Sequence, residues 1–402
     1  MRTVRWLALT MLCLSCLCLM PANAEKVGKR NATPAPTPAI APDIKPAALW
    51  DGRKEVEFHA ANYPKMVKAA DARFMIDEEY VLGITDRGES RAYPTRFISW
   101  HHIVNDKIGK DDPAFVTITY CIVCNSGMRF DTPLINNKPL LFDFYGLYNG
   151  VMTMYDKETK SVWLQVEARA VKGQLLGATL KQSPLLDTTW GQWKKLHPDT
   201  LVMAPDPRFR DDYEPKGAIM ARGYTSFPAS YFRPTLTHRD TRLGMFESVL
   251  AISAPAADAD EPSDEADPPV AVERTLHRAY PLKAFKGKSS VVNDVLGATP
   301  VAVFFLADSE TLSAVSRVVD GRTLTLECRK GQRGKPVFVD RETGTRWNVE
   351  GKAEAGPLVG KQLGRLNSHM SQWYGWVSYF PETTIYGQEK PEGLASRAAF
   401  RP

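Results

Sequence analysis

Cys121 and Cys124 stand three residues apart in the stretch Tyr120-Cys121-Ile122-Val123-Cys124-Asn125-Ser126. Two sulfurs on one turn can close a disulfide or share a metal ion, and spacing alone chooses neither. Upstream, Trp100-His101-His102 supplies imidazole. Cys121, Cys124 and His101 would form a three-ligand soft site suited to copper or zinc, with His102, Met128, Met152 or Met154 available for a fourth place. A second reading is a thiol-disulfide redox pair in which His101 lowers the pKa of one thiolate. A third is a structural disulfide, or a buried free pair, in a binding module whose ligand sits elsewhere. The metal site is the leading expectation. The implied partner is an unidentified small molecule or a metal donor.

Stepping outward from the thiols, the flanking residues read mostly as short strands. Val81 to Ile84, Phe115 to Tyr120, Leu140 to Phe144, Val151 to Tyr155 and Ser161 to Val166 are apolar or alternating runs rich in β-branched and aromatic residues. Asn136-Asn137 and Asp320-Gly321 fit two-residue hairpin turns. If His101 and His102 lie on a strand they point to opposite faces, so one at most meets the thiols. A short helix carries Trp190, Trp193 and Leu196 on one face, capped by Thr188 or Thr189 and ended by Pro198. The loop of Tyr145, Tyr148 and Asn149, with Gly146 and Gly150 permitting close backbone approach to a ligand, is the expected pocket wall, joined by Trp100 and Tyr120.

The same order of motifs occurs twice. Arg91-Ala92-Tyr93-Pro94 matches Arg278-Ala279-Tyr280-Pro281, and Ile103 to Asp106 matches Val291 to Asp294. Tyr155 to Thr159 with Trp163 matches Val339 to Thr343 with Trp347, and Trp190-Gly191-Gln192-Trp193 matches Trp373-Tyr374-Gly375-Trp376. The fold class implied is mainly β (α+β), as two tandem homologous β-rich domains with short helices and a pseudo-two-fold relation, spanning 49–210 and 211–390 and followed by a tail at 391–402. The second copy lacks the Cys and His residues; its matching places read Asp308, Thr311 and Ser289. Site chemistry is therefore assigned to the first copy.

These separated motifs, in this order over residues 75 to 387, resemble the domain-of-unknown-function family 3179. The resemblance implies a homologous fold and a Cys-x-x-Cys site, with the family's His falling on His101, and it supplies no reaction.

The amino terminus sets the compartment. Arg2 and Arg5, an apolar run from Trp6 to Met20 and Ala22-Asn23-Ala24 form a leader cleaved after Ala24, which implies a periplasmic or secreted protein. Cleavage removes Cys13, Cys16 and Cys18 and leaves Cys121, Cys124 and Cys328, too few for a disulfide framework. Losing Arg2 and Arg5 takes the net charge from +5 to +3, too weak to argue for nucleic acid. No later run approaches the roughly 20 apolar residues of a membrane span. Residues 25–48, with five prolines, read as a tether, and 254–273, with seven acidic residues, as a solvated insertion. Cys328 reads as a small buried hydrophobe. No Ser-His-Asp constellation, Walker loop, dinucleotide fingerprint or His-Glu-x-x-His is legible, so hydrolase, kinase and dehydrogenase readings lack support.

Overall fold

Alternating apolar runs punctuated by Gly, Asn and Asp build a mainly β protein with a few short helices. The computed structural model describes residues 39–213, 215–216, 228–256 and 275–388. The expected leader, most of the tether and the acidic insertion, and the tail at 391–402 lie outside the described residues. Among the described residues no helix is long and apolar enough to cross a membrane.

One succession of pairings runs through both halves of the chain. In the first half Tyr80–Asp86 and Glu89–Pro94 form a hairpin flanked by Leu186–Thr189 and, in parallel, by Leu201–Met203. In the second half Ser248–Pro255 and Thr275–Pro281 pair in the same way, flanked by Ser368–Gln372 and, in parallel, by Thr384–Ile385. Three antiparallel strands follow each hairpin: Ile103–Ile108, Ala114–Cys121 and Ser126–Asp131 first, then Ser290–Leu296, Thr299–Leu306 and Thr311–Ser316. A third sheet is built on Phe142–Tyr148, Val151–Asp156, Val162–Leu164 and Arg169–Lys172 in one half, and on Leu326–Lys330, Pro336–Asp340, Arg346–Trp347 and Ala353–Ala355 in the other.

Equivalent polar side chains make equivalent bonds. Trp163 Nε1 donates to Asp156, as Trp347 Nε1 does to Asp340, both at 2.9 Å. Tyr93 Oη donates to Asp106 at 2.9 Å and Tyr280 Oη to Asp294 at 2.8 Å. Asn136 and Asn137, and likewise Asp320 and Gly321, have positive φ and join two-residue strands, the backbone that a tight hairpin with right-handed twist requires.

The two sets of strands do not make two separate cores, which modifies the expectation of tandem domains divided near residue 210. Helix α2 (Trp190–Leu196), capped by Thr189 Oγ1 accepting from Gln192 N at 3.3 Å, places Trp190 and Trp193 in one apolar cluster with Phe304, Phe338 and Trp347 of the second half. Helix α4 (Trp373–Val377) places Trp373 and Trp376 in a cluster with Cys121, Cys124, Phe142 and Trp163 of the first. Each half thus lends its tryptophan helix to the other's core.

The tether expected over 25–48 is also shorter than its prolines suggest. Ala41 N donates to Val171 O at 2.9 Å, and Ala41, Ile44 and Ala48 are buried against Tyr145, Tyr148 and Leu164. Small side chains between prolines fit a flat aromatic surface, and the proline-fixed backbone lies along a strand edge at little entropic cost.

Candidate functional site

Cys121 ends one strand and Ser126 opens the next, so Cys124 lies in the turn between them. Asn125 closes the turn at φ 53°, a left-handed conformation that Asn tolerates, and its side-chain oxygen accepts from Tyr120 Oη at 2.5 Å. The turn holds the two sulfurs 3.2 Å apart as free thiols. Cys121 Sγ accepts the backbone N–H of Met152 at 3.3 Å, whereas Cys124 Sγ is bonded to Ser126 Oγ at 3.1 Å.

Their acidities separate accordingly. Burial disfavours a thiolate at both sulfurs. At Cys121 the Cys124 thiol and the N–H groups of Cys124, Met152 and Val123 outweigh burial and hold the pKa below its ordinary value. Cys124, buried beside that sulfur, is pushed far up. Of the two thiols Cys121 is thus the more acidic.

Cys121 lies at the floor of a cleft of about 820 Å³, together with Ile122, Val123, His102 and Met152. Its walls come from far along the chain: Trp50, Phe58, Phe144 and Leu147 from the first half and Tyr231 and Pro234 from the second. Tyr231 belongs to α3 (Ala229–Phe232). Cys124 is not among the lining residues; it faces α4, and the N–H of Gln372, just before that helix, and Tyr374 Oη within it donate to Cys124 O and Val123 O, both at 2.8 Å.

The structure separates the two histidines otherwise than the sequence suggests. They lie at the end of helix α1 (Thr95–His101), not on a strand. His101 donates from Nδ1 to His59 O at 2.6 Å and accepts at Nε2 from Tyr213 Oη at 2.7 Å. Burial lowers its pKa. It is therefore engaged away from the sulfurs, and the set of Cys121, Cys124 and His101 is not brought together. Among the described residues no group of three or more His, Cys, Asp or Glu gathers for a metal ion. His102 takes its place at the cleft. At φ 60°, ψ −33° it occupies a backbone region that few non-Gly residues adopt. Its Nδ1–H donates to Trp100 O at 3.2 Å, which leaves Nε2 the acceptor, and Phe58 covers the ring at a centroid distance of 4.0 Å. Burial lowers its pKa to about 4, so it is neutral at physiological pH.

Other expected site residues serve the scaffold. Met128 and Met154 are core side chains, and Met152 alone of the three lines the cleft. Tyr145 and Tyr148 pack on the 41–48 segment, while Asn149 bonds Ser378 O at 3.1 Å and Thr237 N at 2.8 Å. Tyr120 bonds Asn125, and Trp100 meets Phe58 edge to face. The close approach that Gly146 permits is made by the chain itself, since a Cβ there would stand 1.8 Å from Trp50 O. Cys328 is half-buried rather than buried. The ladder registers also correct the second-half counterparts: Cys121 corresponds to Leu306, paired with Thr311 as Cys121 is with Ser126, and Cys124 corresponds to Ser309.

One array escaped the sequence reading. Ser90 Oγ lies 3.0 Å from His197 Nδ1, and His197 Nε2 lies 2.6 Å from Glu350 Oε2, while Arg365 donates to the other oxygen, Glu350 Oε1, at 3.1 Å. Its parts lie 107 and 153 residues apart, so no local spacing announces it. It joins the two halves.

A family model described as "Protein of unknown function (DUF3179)" matches residues 58–383. The chain belongs to that family. The match takes in both halves of this DUF3179 protein, including the thiol turn and α4. No curated protein and no solved structure matches the chain.

Proposed function

We propose that this DUF3179 protein is an exported two-thiol redox protein whose dithiol is Cys121 and Cys124. The observation that carries the reading is the division of labour between two sulfurs 3.2 Å apart: one faces a cleft and collects N–H donors, the other is held protonated behind it. In the proposed cycle the Cys121 thiolate attacks one sulfur of a disulfide, forming a mixed disulfide and expelling the first thiolate. Cys124 then attacks Cys121 Sγ, its proton passes to the second departing thiolate, and the protein is left with a Cys121–Cys124 bridge. A copper or zinc site loses support because His101 is committed elsewhere. Export rests on the leader at 1–24. We read the twofold recurrence of elements as an ancestral duplication that kept sulfur in the first half and left Leu306 and Ser309 in the second.

The test uses the mature full-length chain. In thiol–disulfide buffers of graded potential the Cys121–Cys124 pair interconverts as a two-electron couple, and Cys124→Ser accumulates a mixed disulfide on Cys121. A pair that cannot be oxidised without unfolding, or that arrives with one tightly held copper or zinc ion shielding both thiols, overturns the proposal.

A further inference from the structure

The cleft's lining has a chemical bias that bears on what reaches Cys121. Its charged groups are two carboxylates, Asp51 and Glu55, and among the described residues no Lys or Arg lines it. Asp51 is already paired with Arg53 at 2.6 Å, whose guanidinium is drawn off over the Tyr145 ring at 4.6 Å. Glu55 is exposed and accepts from Trp50 Nε1 at 3.2 Å. Ser230, Thr235 and His102 add uncharged polar groups, and the remaining contacts are aromatic or aliphatic. Trp50 lines it with Phe58 and Phe144, which meet edge to face, and Tyr231, 69% exposed, lines it too. A volume of about 820 Å³ lies within the range of small-molecule sites. Cys121 lines it and is itself fully buried.

Resting on the redox reading above, we infer that the cleft admits small aromatic or apolar disulfides, neutral or cationic, and discriminates against anionic ones such as glutathione disulfide. An anionic disulfide would bring carboxylates past Glu55 into an apolar passage that offers no guanidinium or ammonium to receive them, a desolvation left uncompensated. An aromatic disulfide replaces cleft water with ring contacts to Phe58, Phe144 and Tyr231. A cationic one gains Glu55 as a counter-charge. The reaction is the one written above: two electrons pass from the dithiol to the entering disulfide, whose two sulfurs leave as thiol and thiolate.

The experiment is stopped-flow oxidation of the reduced mature protein by 4,4′-dithiodipyridine (neutral, aromatic), cystamine (cationic) and glutathione disulfide (anionic). Each rate is divided by that of N-acetylcysteine with the same oxidant to remove intrinsic reactivity. The expected result is a normalised preference of about tenfold or more for the first two over glutathione disulfide, equal to about 1.4 kcal/mol. The cystamine advantage shrinks with added salt. Glu55→Lys narrows or reverses the cystamine-to-glutathione ratio, and Tyr231→Ser slows the aromatic probe severalfold without affecting cystamine. Equal normalised rates, or a preference for glutathione disulfide in a protein whose dithiol does cycle, overturn this inference and leave the redox reading intact. Failure of all three probes to oxidise the folded protein overturns both.

Discussion

Cys121 and Cys124 are one residue type placed three positions apart, and what distinguishes them is which hydrogen atoms point at each sulfur. Cys121 gathers three backbone N–H groups and the neighbouring S–H, while Cys124 gathers Ser126 and a negative neighbour. The thiolate is the reactive form, and it is lost as pH falls through the folded pKa. Iodoacetamide trapping should therefore label Cys121 first, with a midpoint below that of a free cysteine. Cys121→Ser should abolish the fast phase, and Cys124→Ala should keep it while raising its midpoint, because the side-chain donor to Cys121 is gone. The paired thiols were legible in the sequence, whereas the identity of the histidine beside them was not. His101 ends the helix and His102 leaves it at φ 60°, a backbone turn that strand alternation does not foresee, and it is His102 that meets the cleft. The aromatic walls were equally hidden, since Trp50, Phe58 and Tyr231 reach Cys121 only through long-range folding.

Among the elements, α4 decides how the thiol turn is held. Gly375 sits so close to the turn that a Cβ would meet Cys124 Cβ at 2.7 Å. Gly375→Ala should push the helix off the turn, lower stability by roughly 1 to 3 kcal/mol as other overpacked sites do, and expose Cys124 to alkylation. Denaturant melts together with labelling kinetics check both effects. The elements easiest to read were those with local signatures: the Asn136-Asn137 and Asp320-Gly321 turns, and the α2 cap at Thr189. The 39–48 segment was not readable as packed, because its prolines and alanines fit an extended linker equally well. Its burial depends on Tyr145 and Tyr148, aromatic side chains about a hundred residues away.

Across the molecule, the exchange of tryptophan helices makes the two halves mutually dependent. Calorimetry of the chain should show one unfolding transition, and the fragment 39–213 should not fold alone. Acid should loosen the whole. His102, His277 and His369 are neutral in the fold, with pKa values lowered to about 4 by burial, against an ordinary 6.5. Unfolding lets each take up a proton, so stability should fall as pH drops from about 6.5 to about 4 and level off below. The loss is on the order of 3 kcal/mol for each of the buried rings His102 and His369. The melting temperature followed across that range checks it, and His369→Gln should flatten the slope. Motif order made the recurrence visible in sequence, but not the crossing-over of cores, because a tryptophan's spacing does not say whose cavity it fills. That crossing also bears on how the chain is made: Trp373 and Trp376 leave the ribosome about 250 residues after Cys121. Until they arrive, the nascent amino-terminal half carries an unfinished apolar face with its thiols uncovered, so that interval of synthesis is when the chain is most open to aggregation and stray oxidation.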